Sequence, residues 1–166
     1  MPEKETLRRA RKDKQKGKAP STQAGEFVRE EIEHIREGKH GARSTKQAIA
    51  IGLSKARRAG VDLPPPEKGT VPEKTRRSAR SAYRAGRREK HKTSGRRSRA
   101  VTHALQRESR SSASRKALAK QGRSAAARRS RSERSAAARK ASRTKGPARR
   151  SAAARKAART RYAGPA

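Results

Sequence analysis

The chain has no cysteine and no tryptophan, and only one phenylalanine and two tyrosines among its 166 residues. Without cysteine, disulfide frameworks and cysteine-ligated zinc ribbons are excluded. Leu, Ile, Val and Phe together number 14, about 8% of the chain, whereas folded domains have more than roughly 20%. A single packed domain that uses all of the chain is therefore not expected.

Acidic residues are also scarce, because 14 Asp and Glu stand against 49 Lys and Arg, for a formal net charge of +35. A chain with this charge needs a polyanionic partner, and the abundant ones are nucleic acids and anionic membranes. No apolar run approaches the roughly 20 residues that cross a bilayer, and the aromatics of a membrane-surface helix are missing. We therefore expect a nucleic-acid partner and no membrane association.

Charge and apolar residues are distributed in opposite directions along the chain. The first 63 residues carry 16 basic and 9 acidic residues, whereas the remainder carries 33 and 5. The fold class expected is mainly α, a short helical hairpin followed by a long, largely disordered basic tail with short transient helices. Five segments are predicted. They are a basic disordered N-terminal arm (1–21), a helical hairpin domain (22–63), a Pro-containing basic linker (64–97), short helical segments (98–122) and an Arg/Ala/Ser-rich repeat tail (123–166).

The first helix of the hairpin is predicted over residues 26–37. Val28, Ile32 and Ile35 follow the i, i+4, i+7 spacing of one helical face, and this spacing is typical of an amphipathic helix. Gly38 is a residue type that commonly ends a helix. Any core of the protein is expected to lie in the hairpin.

The second helix is predicted to begin at Ser44-Thr45-Lys46-Gln47, which fits a capping box with Ser44 as the N-cap. Ile49, Leu53 and Ala56 lie on one face of this helix, and Gly60 ends it. Nine large apolar side chains are few for a fold that is stable alone. We therefore expect the hairpin to form a homodimer through the Ile49/Leu53 face or to be stabilised by its ligand.

The tail contains a degenerate repeat, RSAAAR followed by Arg or Lys, which begins at Arg123, Arg134 and Arg150. Serine can cap a helix and alanine has the highest helix propensity, but repulsion between cations opposes a free helix. We expect phosphates to neutralise the unit and allow short helices to form. Gly146-Pro147 is expected to break any continuous helix.

Nucleic-acid contacts are expected at the start of the second helix and along the tail. A capped helix N-terminus offers N–H groups to phosphate, and arginine makes bidentate phosphate contacts. The predicted nucleic-acid-binding residues are Arg43, Ser44, Thr45, Lys46, Arg123, Arg128, Arg129, Arg134, Arg139, Lys140, Arg149, Arg150, Arg155, Lys156, Arg159 and Arg161.

Catalysis is not expected. No glycine-rich phosphate loop or Ser/His/Asp arrangement is present, and little apolar material is available to form a substrate cavity. His34 and His40 are six residues apart without a nearby Asp or Cys, so they are expected to be ordinary surface or loop residues. We therefore predict no catalytic residues, no metal, no cofactor and no small-molecule substrate.

Two regions resemble known proteins. The segment GEFVREEIEHIREGKHGARSTKQAIAIGLSKARRAG, residues 25–60, resembles a small bacterial domain family of unknown function, whose hallmark is RSTKQAIAIGLSKARRAG, residues 43–60. Members of that family sometimes carry the label plasmid stabilisation protein or DNA-binding protein. The Ala/Arg/Ser tail separately resembles the tails of bacterial linker-histone-like proteins. Neither resemblance implies catalytic residues.

The function expected from these observations is non-sequence-specific DNA binding by a cytoplasmic, nucleoid-associated, histone-like protein, with DNA favoured over RNA. Two alternatives remain. In the first alternative, the protein is an RNA- or ribosome-binding basic protein, since basic extensions also fold on RNA. In the second, it is a protein-interaction or plasmid-maintenance adaptor that uses the hairpin. The first alternative predicts tighter binding to structured RNA than to duplex DNA, and the second predicts partner binding that survives loss of the tail.

Overall fold

The computed structural model describes residues 2–88 and 94–162. Its described part is mainly helical, as predicted, and contains no β-strand. The elements are α1 (Lys4–Gln15), α2 (Pro20–Arg36), α3 (Thr45–Arg58), α4 (Glu73–Ala85), α5 (Gly95–Gln106), a 3₁₀ turn (Arg110–Ala113), α6 (Arg115–Ala127) and α7 (Arg131–Tyr162). The chain divides into a first unit, Met1–Gln121, and a second unit, Gly122–Ala166. Within the described ranges, no helix has both the length and the apolar character needed to cross a bilayer.

The predicted hairpin is formed by α2 and α3, which pack against each other. Ile32 and Ile35 of the predicted stripe are buried, as is Phe27 beside it, whereas Val28 is only half-buried. The buried face of α3 agrees only in part with the predicted one, because Leu53 is only half-buried. Ala56 is buried, but its neighbours there are Ala48 and Gly52. These small side chains let the two helix backbones approach closely, whereas Ile49 is only half-buried.

Gly52 lies at the closest approach of the two helices. A Cβ atom there would lie 2.7 Å from the Val28 Cα and 3.0 Å from the Phe27 carbonyl oxygen. Alanine would gain about 1 kcal/mol of helix propensity, but overpacking against a backbone costs about 1–3 kcal/mol. We expect Gly52→Ala to lower the free energy of unfolding by about 1–2 kcal/mol, as measured by urea denaturation.

Gly25 provides the matched control for this substitution. It lies inside α2, and a Cβ atom there would meet nothing within 4 Å. Gly25→Ala should therefore keep the propensity gain and raise the free energy of unfolding by up to about 1 kcal/mol. Equal stabilisation by both alanines would show that α2 and α3 are not in close contact at Gly52.

Both predicted helix ends are present. Gly38 and Gly60 adopt left-handed conformations, with φ of +81° and +86°, which glycine tolerates best. After α2, the Lys39 N–H donates to the His34 carbonyl at 3.0 Å and the Gly38 N–H donates to the Ile35 carbonyl at 3.2 Å. This is the Schellman pattern, and it turns the chain back along α2.

The region predicted as a disordered N-terminal arm contains α1, which packs on α2. Leu7 and Ala10, three residues apart on one face of α1, join an apolar cluster with Phe27. The many lysines and arginines of this segment conceal that short apolar face. Helix α2 also begins at Pro20 rather than near residue 26, because proline fits the first helical position.

Residues far from the hairpin complete a second apolar cluster. Ala113 and Leu118 pack there against Ile32 and Ile35 of α2. The loop between α2 and α3 is also fixed to this segment, since the Gly41 N–H donates to the Leu105 carbonyl at 2.8 Å. The core therefore extends beyond residues 22–63.

Helix α4 packs against α3 through its alanines, Ala79 and Ala82, which are buried. Its Tyr83 hydroxyl donates to Asp62 Oδ1 at 2.5 Å, and this hydrogen bond, together with the nearby Arg87, lowers the pKa of the Asp62 carboxyl. The Arg87 guanidinium lies 4.4 Å from the centroid of the Tyr83 ring. These contacts attach α4 to the turn after α3.

The prediction of a long, largely disordered tail is wrong, because α6 and α7 occupy most of it. Alanine and arginine are both strong helix formers, and they outweigh the scarcity of apolar residues that suggested disorder. The predicted break is present, since Gly146 has non-helical angles, φ 66° and ψ 168°.

The serines of the repeat were predicted to cap helices, but they do not. Ser124, Ser135 and Ser151 lie inside α6 and α7, because helix-forming residues precede each of them and the helix starts earlier. The cap of α7 is Ser130, whose N–H donates to Glu133 Oε2 at 2.7 Å while its hydroxyl accepts from the Glu133 N–H at 3.1 Å. This is a reciprocal capping box.

Candidate nucleic-acid interface

The predicted phosphate site at the start of α3 is organised by its cap. Ser44 Oγ accepts a hydrogen bond from the Gln47 N–H at 3.2 Å. The Gln47 side chain reaches back to the N–H of Arg43, at 2.8 Å, rather than to that of Ser44. The cap therefore occupies the hydroxyl of Ser44 and the N–H groups of Arg43 and Gln47.

Thr45 faces the interior of the first unit. It is buried, and its hydroxyl donates to the Ser112 carbonyl at 2.7 Å. Arg43 and Lys46 are exposed on either side of the cap, where the partial positive charge of the helix end adds to theirs. Of the four predicted residues here, the structure leaves these two cations accessible to a phosphate.

The second unit holds the other predicted residues. Its sequence carries 15 lysines and arginines and a single carboxylate side chain, Glu133. The side chains of Arg149 and Arg161 lie outside the described residues. The remaining ten predicted cations are all exposed: Arg123, Arg128, Arg129, Arg134, Arg139, Lys140, Arg150, Arg155, Lys156 and Arg159.

Helix α7 has no buried side chain among its described residues. Before the break at Gly146, its arginines follow one another at Arg131, Arg134, Arg139 and Arg143, which spreads them over about half of the circumference of a helix with 3.6 residues per turn. All four are exposed. Because these side chains are not buried in a hydrophobic core, the side of α7 that carries them is a strongly positive surface.

The one carboxylate side chain of this unit, that of Glu133, forms part of the cap at the start of α7. The pKa of the Glu133 carboxyl is lowered mainly by a hydrogen bond from the Ser130 N–H and next by one from the Ser130 hydroxyl. A carboxylate held at a helix N-terminus stabilises the helix and does not screen the cations further along it. The positive field of α7 is therefore little reduced by acidic side chains.

Arg150 is directed back along α7 across the break. Its Nε donates to the Gly146 carbonyl at 3.3 Å and its Nη1 donates to Ser142 Oγ at 3.0 Å. These bonds give this arginine a structural role where α7 is interrupted. It therefore differs from Arg155 and Arg159, which are exposed beyond it.

Sequence reasoning missed a basic face in the first unit. Arg77, Arg80 and Arg84 are exposed on α4, while Ala79 and Ala82 of the same helix face α3. The signal is present in the sequence, since two alanines three residues apart mark a narrow buried face. The region was instead predicted to be a linker because alanine adds little hydrophobicity.

Comparison with known proteins gives one match. Residues 4–68 match the model of a family described as a family of unknown function, DUF6496. No curated protein and no solved structure matches the chain. The match covers α1, α2, α3 and the extended segment after α3. This part of the chain is therefore similar to an uncharacterised small domain family, to which no activity is assigned.

Proposed function

We propose that the protein is a nucleoid-associated, histone-like protein that binds DNA without reading its base sequence. The observation that carries this proposal is the second unit, which has 15 cations, one carboxylate side chain and no buried side chain among its described residues. Polyanions are the natural partners of such a surface. The exposed cations of α6 and α7 neutralise phosphates, and the released counterions supply most of the binding free energy.

Lack of sequence preference follows from the arrangement of charge. Base reading requires a recognition helix held at a fixed angle in the groove by a rigid core. Helix α7 has no buried side chain among its described residues, so no core within its own unit holds one face of it towards the bases. Arginine contacts phosphates in any sequence.

Duplex DNA is the favoured ligand. Single-stranded nucleic acid is usually bound by aromatic side chains on which bases stack, and this chain has only one phenylalanine and two tyrosines. The chain needs only a dense line of phosphates, which duplex DNA provides.

Salt dependence tests this function. If about ten phosphates are contacted, the logarithm of the association constant should fall against the logarithm of salt concentration with a slope near −9. Fluorescence anisotropy with two DNA duplexes of equal length and unrelated sequence measures the slope and the sequence preference together. A flat salt response contradicts the mechanism.

An RNA duplex of the same length, titrated at the same salt, separates the proposal from its nearest rival. We expect the two DNA duplexes to bind with affinities within a few-fold of each other and the RNA to bind more weakly. Tighter binding to RNA would assign the protein to the RNA-binding alternative.

A further inference from the structure

A polar cluster lies in the first unit, away from the basic surfaces. Glu31 of α2 is completely buried. His34 follows it by three residues, which places both on one helix face. The turn at Gly38 then returns the chain so that His40 meets the same place. One ligand atom from each of Glu31, His34 and His40 lies within 4.8 Å of the others.

The distances within this cluster suit a small divalent cation. Glu31 Oε1 lies 3.4 Å from His40 Nε2. A tetrahedral zinc ion with bonds of about 2.0–2.2 Å holds its ligand atoms about 3.3–3.5 Å apart. One edge of the coordination polyhedron is therefore already formed. The other edges need a contraction of about 1.5 Å at most, which small rotations of the histidine side chains can supply.

Neighbouring groups engage one nitrogen of each imidazole ring and leave the other for a metal ion. His40 Nδ1 lies 3.0 Å from the Gly41 carbonyl oxygen. Since a carbonyl can only accept, Nδ1 carries the hydrogen and Nε2 presents its lone pair towards Glu31. His34 Nε2 lies 2.8 Å from Glu3 Oε1. A carbonyl or carboxylate that holds the second ring nitrogen is the usual outer shell of a metal-bound histidine.

The net negative charge at this cluster also favours a bound cation. Glu30 and Glu31 are both buried, and the ammonium group of Lys55 approaches them from α3, with its Nζ 2.6 Å from Glu31 Oε2 and 3.6 Å from Glu30 Oε1. Glu31 Oε1, on the histidine side, has no hydrogen bond from any residue that the structure describes. Two buried carboxylates and one ammonium leave a negative charge that is costly in a poorly hydrated site.

We propose that Glu31, His34 and His40 bind one Zn²⁺ ion. The ion contacts Glu31 Oε1, the two imidazoles and a water molecule, while Lys55 keeps its contact with Oε2. Two imidazoles and one carboxylate form a ligand set that zinc accepts. The ion fastens the loop after α2 to the body of that helix. The third ligand is a glutamate inside α2, so the spacing of the histidines alone did not indicate a metal site.

Zinc titration of the full-length protein tests this site. The protein is freed of nucleic acid in concentrated NaCl, stripped with EDTA, dialysed and titrated with ZnCl₂ against a chromogenic chelator at pH 7.5. We expect one equivalent to bind. His40→Gln and His34→Gln should each weaken binding at least about tenfold. His103→Gln is the matched control, because His103 is exposed on α5, and it should leave the affinity unchanged.

NMR of the four histidines gives a readout that does not depend on the variants. One equivalent of ZnCl₂ should shift the ring C–H signals of His34 and His40 and leave those of His103 in place. The proposal is overturned if no stoichiometric zinc binds, if zinc moves all four histidines alike, or if binding is equal in His40→Gln and His103→Gln.

Discussion

Lys55→Met is expected to lower the free energy of unfolding by about 3 kcal/mol. Lys55 is the cation that faces the buried carboxylates of Glu30 and Glu31, whose side chains are 2% and 1% exposed. Removing one partner of a buried ion pair costs about 3–5 kcal/mol, because the remaining charge is left in a poorly solvated site. The lower end of that range applies here because the Lys55 side chain is 22% exposed, so water can reach part of the site. Urea denaturation in EDTA measures the loss without any contribution from metal.

Lys46→Met is the matched control, since Lys46 lies on the same helix and is exposed. It removes the same charge and should change stability by less than about 0.5 kcal/mol. The double variant Glu31→Gln/Lys55→Met should recover part of the loss, because one of the unpaired negative charges is then gone. Equal effects of Lys46→Met and Lys55→Met would show that Glu31 is not buried against Lys55.

The parts of the fold that could be predicted from the sequence are local ones. Gly38, Ser44 and Gly60 set helix ends through hydrogen bonds within a few residues, and each is found where the sequence placed it. The buried face of α3 was not predicted because Ala48 and Gly52 have little hydrophobicity. Their position inside follows from how closely α2 approaches, which no pattern within α3 reveals.

Long-range contacts account for the errors in the candidate sites. Thr45 was predicted to contact phosphate, but its hydroxyl is bound to the Ser112 carbonyl, 67 residues away. Glu31 lies in a run of charged residues that the sequence does not mark as buried, yet contact with Lys55 and His40 places it inside. Such pairings depend on the tertiary arrangement, so the spacing of residues in the sequence does not predict them.

The tail exposes a conflict between two rules. Low apolar content and high net charge predict disorder, whereas runs of alanine and arginine predict helix. In the described part of the tail the helix propensity decides the local structure, as in α7. The expected basic surface is unchanged by this correction, because the cations are exposed in either conformation. The proposed DNA binding therefore rests on charge and not on disorder.

Neutralising six arginines of the second unit should reduce the affinity for duplex DNA at least about a thousandfold at 0.1 M salt. Each contacted phosphate contributes about 0.9 to the salt slope, so each lost contact removes roughly a factor of eight at that concentration. If all six make contact, the slope becomes less negative by about five. The substitutions are to glutamine, at Arg123, Arg128, Arg134, Arg139, Arg155 and Arg159, all of which are exposed.

A matched variant separates the position of the charge from its amount. It replaces six exposed cations of the first unit with glutamine, at Lys4, Arg11, Lys12, Lys16, Arg58 and Lys68. Both variants have a net charge of +29, six below the +35 of the natural chain. Because none of these six cations is a predicted phosphate contact, we expect the first-unit variant to lose less than about tenfold in affinity and to keep its salt slope. Equal losses in the two variants would mean that binding depends on total charge, and the assignment of the interface to α6 and α7 would then be wrong.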